Sequence, residues 1–182
     1  MDFGIGFGTG VLHCACFAER SNPMLDPTDI AILKALEKDA RTSFNALADE
    51  VGLSKTPSWS RVRELERRKV ITGYSAQVDP AAVGLELHAF VQVTIIASKH
   101  AEFESAVTRH KSIVECYTTA GQADYLLHVL VSGITALDNF LRHELANMPA
   151  VQRMTTTIGM KTIKYGASIM ECATIGMKTP RA

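Results

Sequence analysis

The sequence predicts an α+β protein in two parts: a winged helix-turn-helix unit, then a ferredoxin-like βαββαβ unit. Three observations predict it. Phe44, Leu47, Ala48 and Val51 fall on one helical face and are followed by Gly52, a residue suited to ending a helix in the left-handed conformation. A second helical pattern, Thr56 to about Lys69, is apolar or small on one side and cationic on the other. From Leu87 onward, alternating and helical patterns succeed one another in the order β-α-β-β-α-β.

The elements follow from local chemistry. Asp26 or Thr28 caps a first helix that runs to about Lys38, with Ile30, Leu33, Ile32 and Leu36 as its apolar side. Ser43 caps the second, and Ser54 or Thr56 the third, with Pro57 tolerated in its first turn. Val70 to Val78 is β-branched and alternating, which predicts a strand or wing closed by Asp79-Pro80. Beyond a boundary in 79–84, Leu87 to Ala97 reads as a strand, Ser98 to about His110 as a helix, and Ile113 to Thr119 and Ala123 to Val131 as two strands around Gly121-Gln122. Ile134 to Asn147 is a helix and Val151 to Lys164 a last strand. This order folds as a four-stranded antiparallel sheet with both helices on one face. The expected organisation is a disordered extension over 1–23, helix-turn-helix unit over 24–79, βαββαβ unit over 80–165 and tail over 166–182, with Met24 a natural starting point.

The formal net charge of zero argues against a protein that coats nucleic acid indiscriminately. Charge is local instead. Between Ser54 and Lys69, Lys55, Arg61, Arg63, Arg67, Arg68 and Lys69 face only Glu64 and Glu66. At about 100° per residue, Ser58, Val62 and Leu65 turn one way and Thr56, Ser60, Arg63 and Arg67 the other. A helix that packs by one side and shows hydroxyls and guanidinium groups on the other suits the major groove of duplex DNA. Arg63 and Thr56, supported by Ser60, are placed for base edges; Lys55, Arg61, Arg67 and Arg68 are placed for phosphates. Trp59 either stacks at the DNA surface or is partly buried beside the first helix.

Other chemistries find less support. Cys14, Cys16, Cys116 and Cys172 read as reduced thiols rather than a disulfide framework. The glycines at 4, 6, 8 and 10 lack the strand and helix of a phosphate loop, and His13, Cys14 and Cys16 lack a second ligand pair for a metal. No cofactor or metal is expected. No uncharged apolar run reaches the length of a membrane span, so a soluble cytoplasmic protein is expected. His88, His100, His110, His128 and His143 lie on separate elements with no nucleophile triad or paired carboxylates, which argues against an enzyme.

Leu25-Asp26-x-x-Asp29-x-x-Ile32-Leu33, Leu47-Ala48-x-x-Val51-Gly52-Leu53-Ser54-x-Thr56-Pro57 and Arg61-Val62-x-x-Leu65-Glu66 together resemble the DNA-binding half of the Lrp/AsnC family. Ile71-x-Gly73-Tyr74 is similar to its connecting strand, and Gly121-x-x-Asp124-Tyr125-Leu126-Leu127 to its effector loop. The resemblance spans about Met24 to Lys164. It implies a sequence-specific transcriptional regulator, dimeric or octameric, that senses an amino acid or related metabolite through the second unit. It also implies effector contacts at Thr118, Thr119, Ala120, Gly121, Gln122, Asp124 and Tyr125. Gln122 stands where the family pattern often has an acid, and a neutral amide holds a ligand ammonium less strongly than a carboxylate does.

The second unit's strands are apolar on both faces: Phe90 and Ile96 lie opposite the helices, and 123–131 is apolar on that side but for His128 and, at its start, Asp124. A two-sided apolar sheet implies a second layer, here the same sheet of another subunit. Paired sheets imply a two-fold dimer on a roughly palindromic DNA site. Two rival readings remain: an effector-binding or assembly module without DNA binding, and an enzyme akin to the haem-biosynthesis decarboxylases that resemble this family.

Overall fold

A computed structural model of the chain describes residues 25–177, with side chains through 173. The expected extension over 1–23, with its glycines and its His13, Cys14 and Cys16, lies outside the described residues, as does the end of the tail. The chain divides into two compact units, residues 76–165 and the remainder.

The first unit is built on three helices, α1 (Pro27–Lys38), α2 (Phe44–Val51) and α3 (Lys55–Arg67). Asp26 caps α1 through a reciprocal box: its carboxylate accepts from the Asp29 N–H at 2.7 Å, and the Asp29 carboxylate accepts from the Asp26 N–H at 3.4 Å. Ser43 caps α2 by accepting from the Ala46 N–H at 3.2 Å. Gly52 (φ 69°) ends α2 in the left-handed region, where a side chain would be strained. Ile32, Leu33, Ala35, Leu47, Val62 and Leu65 form the core beneath. A further helix, α6 (Ile169–Met177), returns to this unit. Met170 is buried in the same core, and Glu37 of α1 accepts from the Ser168 hydroxyl and the Ile169 N–H at the start of α6.

The expected strand over Val70–Val78 does not form among the described residues. Lys69 (φ 58°) closes α3, and the Val70 and Ile71 N–H groups both turn back to the Leu65 carbonyl. Val70 and Ile71 then pack on the core, and no neighbouring strand offers a ladder to the residues that follow. β-propensity alone does not make a strand.

The second unit has the order β1 (Leu87–Ile95), α4 (His100–Arg109), β2 (Ile113–Thr118), β3 (Tyr125–Val131), α5 (a helical run over 134–147) and β4 (Val151–Gly159). The sheet is antiparallel with strand order β2-β3-β1-β4, the βαββαβ arrangement. Ala89, Val91, Val93 and Ile95 of β1 and Tyr125, Leu127, Val129 and Val131 of β3 face inward against Phe103, Val107, Leu137 and Phe140. β4 stops at Gly159, short of Lys164, because its partner β1 has run out at the His88–Gly159 pair. α5 is regular only to Asn139; residues Phe140–Glu144 widen into a π turn and Leu145–Asn147 tighten into a 3-10 turn.

Candidate nucleic-acid interface and effector loop

α3 is held from below and open above. Ser58, Val62 and Leu65 are buried, and the Ser58 hydroxyl satisfies itself on the Ser54 carbonyl at 3.1 Å. Ser54 makes no side-chain cap, so α3 is fixed by packing more than by its first turn. On the other side Lys55, Thr56, Trp59, Ser60, Arg63 and Arg67 are exposed, and Arg68 is half-buried. Trp59 is 46% exposed, midway between the two places the sequence allows it.

The cations on this ridge differ in their commitments. The Arg63 guanidinium lies 5.5 Å from the centre of the Trp59 ring and its Nη1 is 3.3 Å from Glu66 Oε2. Arg67 makes a two-pronged pair with Glu64 at 2.7 and 2.6 Å, which holds the Glu64 carboxyl below its usual range. Lys55 has no ion-pair partner among the described residues. Arg61 differs from expectation. Its Nη1 donates to Asp26 and, at 2.9 Å, to Asp29 on α1, so it ties α3 to α1 instead of standing free for phosphate. The physical reason is the N-cap Asp26 and first-turn Asp29 carboxylates of α1, which lie within ion-pair reach of Arg61.

The loop after β2 is set by backbone bonds. The Thr119 N–H donates to the Asp124 carbonyl at 2.9 Å and the Thr119 hydroxyl to the Ala123 carbonyl at 2.6 Å. The Asp124 N–H donates to the Val93 carbonyl at 3.0 Å, and Asp124 Oδ2 accepts from the Ile95 N–H at 2.8 Å. Thr119, Ala120, Gly121 and Gln122, with Ala123, Leu126 and Gln92, line an open hollow of 260 Å³. Thr118 is exposed at the end of β2, opposite Tyr125.

Two residues of the expected effector set face elsewhere. Asp124 gives its carboxylate to the β1 backbone. Tyr125 is 1% exposed in the core, its hydroxyl donating to Glu104 Oε1 at 2.8 Å with His100 Nδ1 at 2.7 Å. Because the single phenolic proton goes to Glu104, His100 is the donor to the remaining lone pair. Burial, then Glu104, pushes the Tyr125 phenol well above its ordinary range. Tyr125 departs because β3 begins there and its side chains alternate between core and open face, and Asp124, just before it, is bonded to β1 at Val93 and Ile95.

Sequence reasoning missed Gln92, which lies beside the loop through strand pairing, and Glu66 and Tyr74 beside Arg63. The three-residue spacing of Arg63 and Glu66 was a readable signal; the Tyr74 contact was not. His88 and His128, on separate strands, meet on the open face with Nδ1 and Nε2 3.1 Å apart. Among the described residues no three His, Cys, Asp or Glu side chains are grouped to hold a metal. No helix there is long and apolar enough to cross a membrane.

An AsnC-type helix-turn-helix domain matches residues 25–66, and an Lrp/AsnC ligand binding domain matches residues 88–169. The chain is 33% identical over 152 residues to the DNA-binding transcriptional activator DecR of Escherichia coli, covering 80% of this chain and 98% of that protein. It is 36% identical over 149 residues to the leucine-responsive regulatory protein of Klebsiella pneumoniae, covering 80% and 91%. A transcriptional regulator of Neisseria meningitidis solved as a complex with L-Met superposes with a TM-score of 0.77 at 30% identity, covering 80% of this chain and 96% of that one. With both domain types matched in order over the units described above, the chain belongs to the Lrp/AsnC family of DNA-binding transcriptional regulators.

Proposed function

We propose that the chain binds a roughly palindromic duplex as a homodimer, with the exposed face of α3 in the major groove, and responds to an amino acid or related small metabolite. The observation that carries this is the division of α3: Ser58, Val62 and Leu65 are locked in the core while Thr56, Ser60 and Arg63 stand open beside Lys55. Arg63 and Thr56 read base edges, with Ser60 in support; Lys55, Arg67 and Arg68 neutralise phosphates. Arg67 must leave or share Glu64 to do so.

The effector site is the 260 Å³ hollow at Thr119–Gln122, where hydroxyl, amide and backbone groups converge. An amino acid as ligand class is supported by the L-Met complex of the Neisseria neighbour. The Gln122 amide and the Gln92 amide, not Asp124, are the polar side chains available to orient it. A ligand of this kind controls binding only if it favours one arrangement of subunits over another.

Dimerisation is supported by the open face of the sheet. Phe90 is 39% and Tyr117 55% exposed, and the face continues into a 760 Å³ hollow lined by His88, Phe90, Met160, Ile163 and Tyr165 among others. A surface of this size and apolarity is covered in a working protein. The role is regulatory and not catalytic, and it is exercised in the cytoplasm.

The test is a gel shift on the DNA upstream of the chain's own coding sequence, with and without single amino acids. A retarded band that Arg63→Ala weakens, and that one amino acid strengthens or weakens, is the expected result. No shift on any duplex would overturn the DNA-binding reading and leave its two rivals, the assembly module and the enzyme.

A further inference from the structure

Arg63 is held by two neighbours, one of them held in turn by a third. Its guanidinium carbon lies over the Trp59 ring, 5.5 Å from its centre, its Nη1 lies 3.3 Å from Glu66 Oε2, and Glu66 Oε1 in turn accepts from the Tyr74 hydroxyl at 3.1 Å. Phe44, Trp59, Arg63, Glu66 and Tyr74 border one hollow of 270 Å³ in the first unit. A phenol is protonated throughout the neutral range, and burial and Glu66 raise that of Tyr74 further.

A guanidinium carries five N–H donors in a rigid planar fork. Trp59 lies against one side of the guanidinium and Glu66 draws Nη1 towards itself, so both restrict how the fork can turn. With Nη1 turned to Glu66, the remaining donors are left for an outside partner. Two parallel donors match the O6 and N7 acceptors of guanine in the major groove and match no other base as well. A long exposed side chain normally loses much rotamer freedom on binding; here part of that ordering is already in place.

We propose that Glu66 and Tyr74 are specificity-determining positioning residues, which hold Arg63 over Trp59 in the orientation that reads one guanine without themselves touching DNA. The inference rests on Arg63 reading a base edge. Tyr74 belongs to the segment that runs from α3 to the second unit, which begins at Ala76. The chain joining the units therefore contributes one arm of the clamp.

The test uses the full chain and its preferred duplex, obtained by selection from random sequences. Affinities are read by fluorescence anisotropy on that duplex, on single base-pair variants of it and on an unrelated duplex. Arg63→Ala comes first: it should flatten the preference at one guanine by roughly tenfold or more. If it flattens nothing, base reading by Arg63 has failed and the clamp falls with it. Given that result, Glu66→Met should lower the preference at the same base pair by about threefold to tenfold, and should add nothing in the Arg63→Ala background. Losing a carboxylate raises binding to every duplex a little, so the ratio of selected to altered site is the readout. Tyr74→Phe removes a single hydroxyl and should lower the ratio in the same direction by a smaller factor, which keeps the test intact if Glu66→Met fails to fold. Unchanged ratios in both Glu66→Met and Tyr74→Phe, or a Glu66→Met protein with a sharper preference, would overturn the proposal. The last outcome would mean that Glu66 withholds Arg63 from DNA.

Discussion

Arg61 of α3 and Asp29 of α1 are joined by a 2.9 Å ion pair in which the Asp29 side chain is only 10% exposed. The same guanidinium reaches Asp26, the N-cap of α1. A carboxylate pair that closes one helix thus also fixes the angle of the next.

Replacing Arg61 by Met should destabilise the first unit and leave its DNA preference unchanged. It removes the partner of a nearly buried carboxylate while leaving the exposed ridge intact. The pH dependence follows from Asp26, whose carboxyl is held below its ordinary 3.8, first by the Asp29 N–H and then by Arg61. A lowered folded-state pKa contributes stability above the unfolded value, lost as pH falls through the folded one. The gap in thermal midpoint between the native chain and Arg61→Met should therefore be full at pH 7 and narrow below about pH 4. A gap that widens on acidification would show that the pair with Asp26 does not account for the difference.

Lys55 and Arg68 should behave as phosphate-binding cations. Removing either should weaken binding to all duplexes alike and reduce the slope of log affinity against log salt by roughly 0.9 for each phosphate no longer neutralised. Titrations at several salt concentrations measure this. A weakening confined to one DNA sequence would reassign the residue to base reading. Arg61→Met should leave the slope unchanged.

Much of this was legible in the sequence because it depends on periodicity. The inward set Ser58, Val62 and Leu65, the Gly52 turn and the alternating faces of β1 and β3 follow from 3.6- and 2-residue repeats. What was not legible depends on neighbours distant along the chain. Arg61 reads as one cation among six until Asp26 and Asp29 are placed against it. Val70–Val78 has the composition of a strand, but pairing needs an edge, and among the described residues no strand pairs with it. Asp124 and Tyr125 fall in the strand expected from Ala123 and also in the effector set that the resemblance implies; β3 puts the Tyr125 ring in the core, and the β1 backbone takes the Asp124 carboxylate.

Asp124 separates a structural role from ligand binding. In Asp124→Asn the side-chain carbonyl still accepts from the Ile95 N–H, so stability should stay near that of the native chain. In Asp124→Ala that N–H is left without its partner, at a cost of about 1–3 kcal/mol. Urea unfolding of the two variants gives the comparison. If Asp124 instead held a ligand ammonium, both would lose effector binding equally and Asn would be no better than Ala. Gln122→Ala should show the reverse behaviour, with unchanged unfolding and a weakened effector response.

Phe90 tests the second-layer reading of the sheet. Its ring stacks on His128 at 4.8 Å on the open face and is absent from the core of the unit, so it can be changed without creating a cavity. Phe90→Glu puts a carboxylate where a second copy would have to strip it of water. At about micromolar concentration the native chain should sediment as a dimer or larger, and the variant as a folded monomer with an unchanged circular dichroism spectrum. Binding to a palindromic duplex should then fall towards that of a half-site, because two reading helices no longer arrive together. A native chain that sediments as a monomer, or a variant that keeps its assembly, would mean that something other than a second sheet covers Phe90.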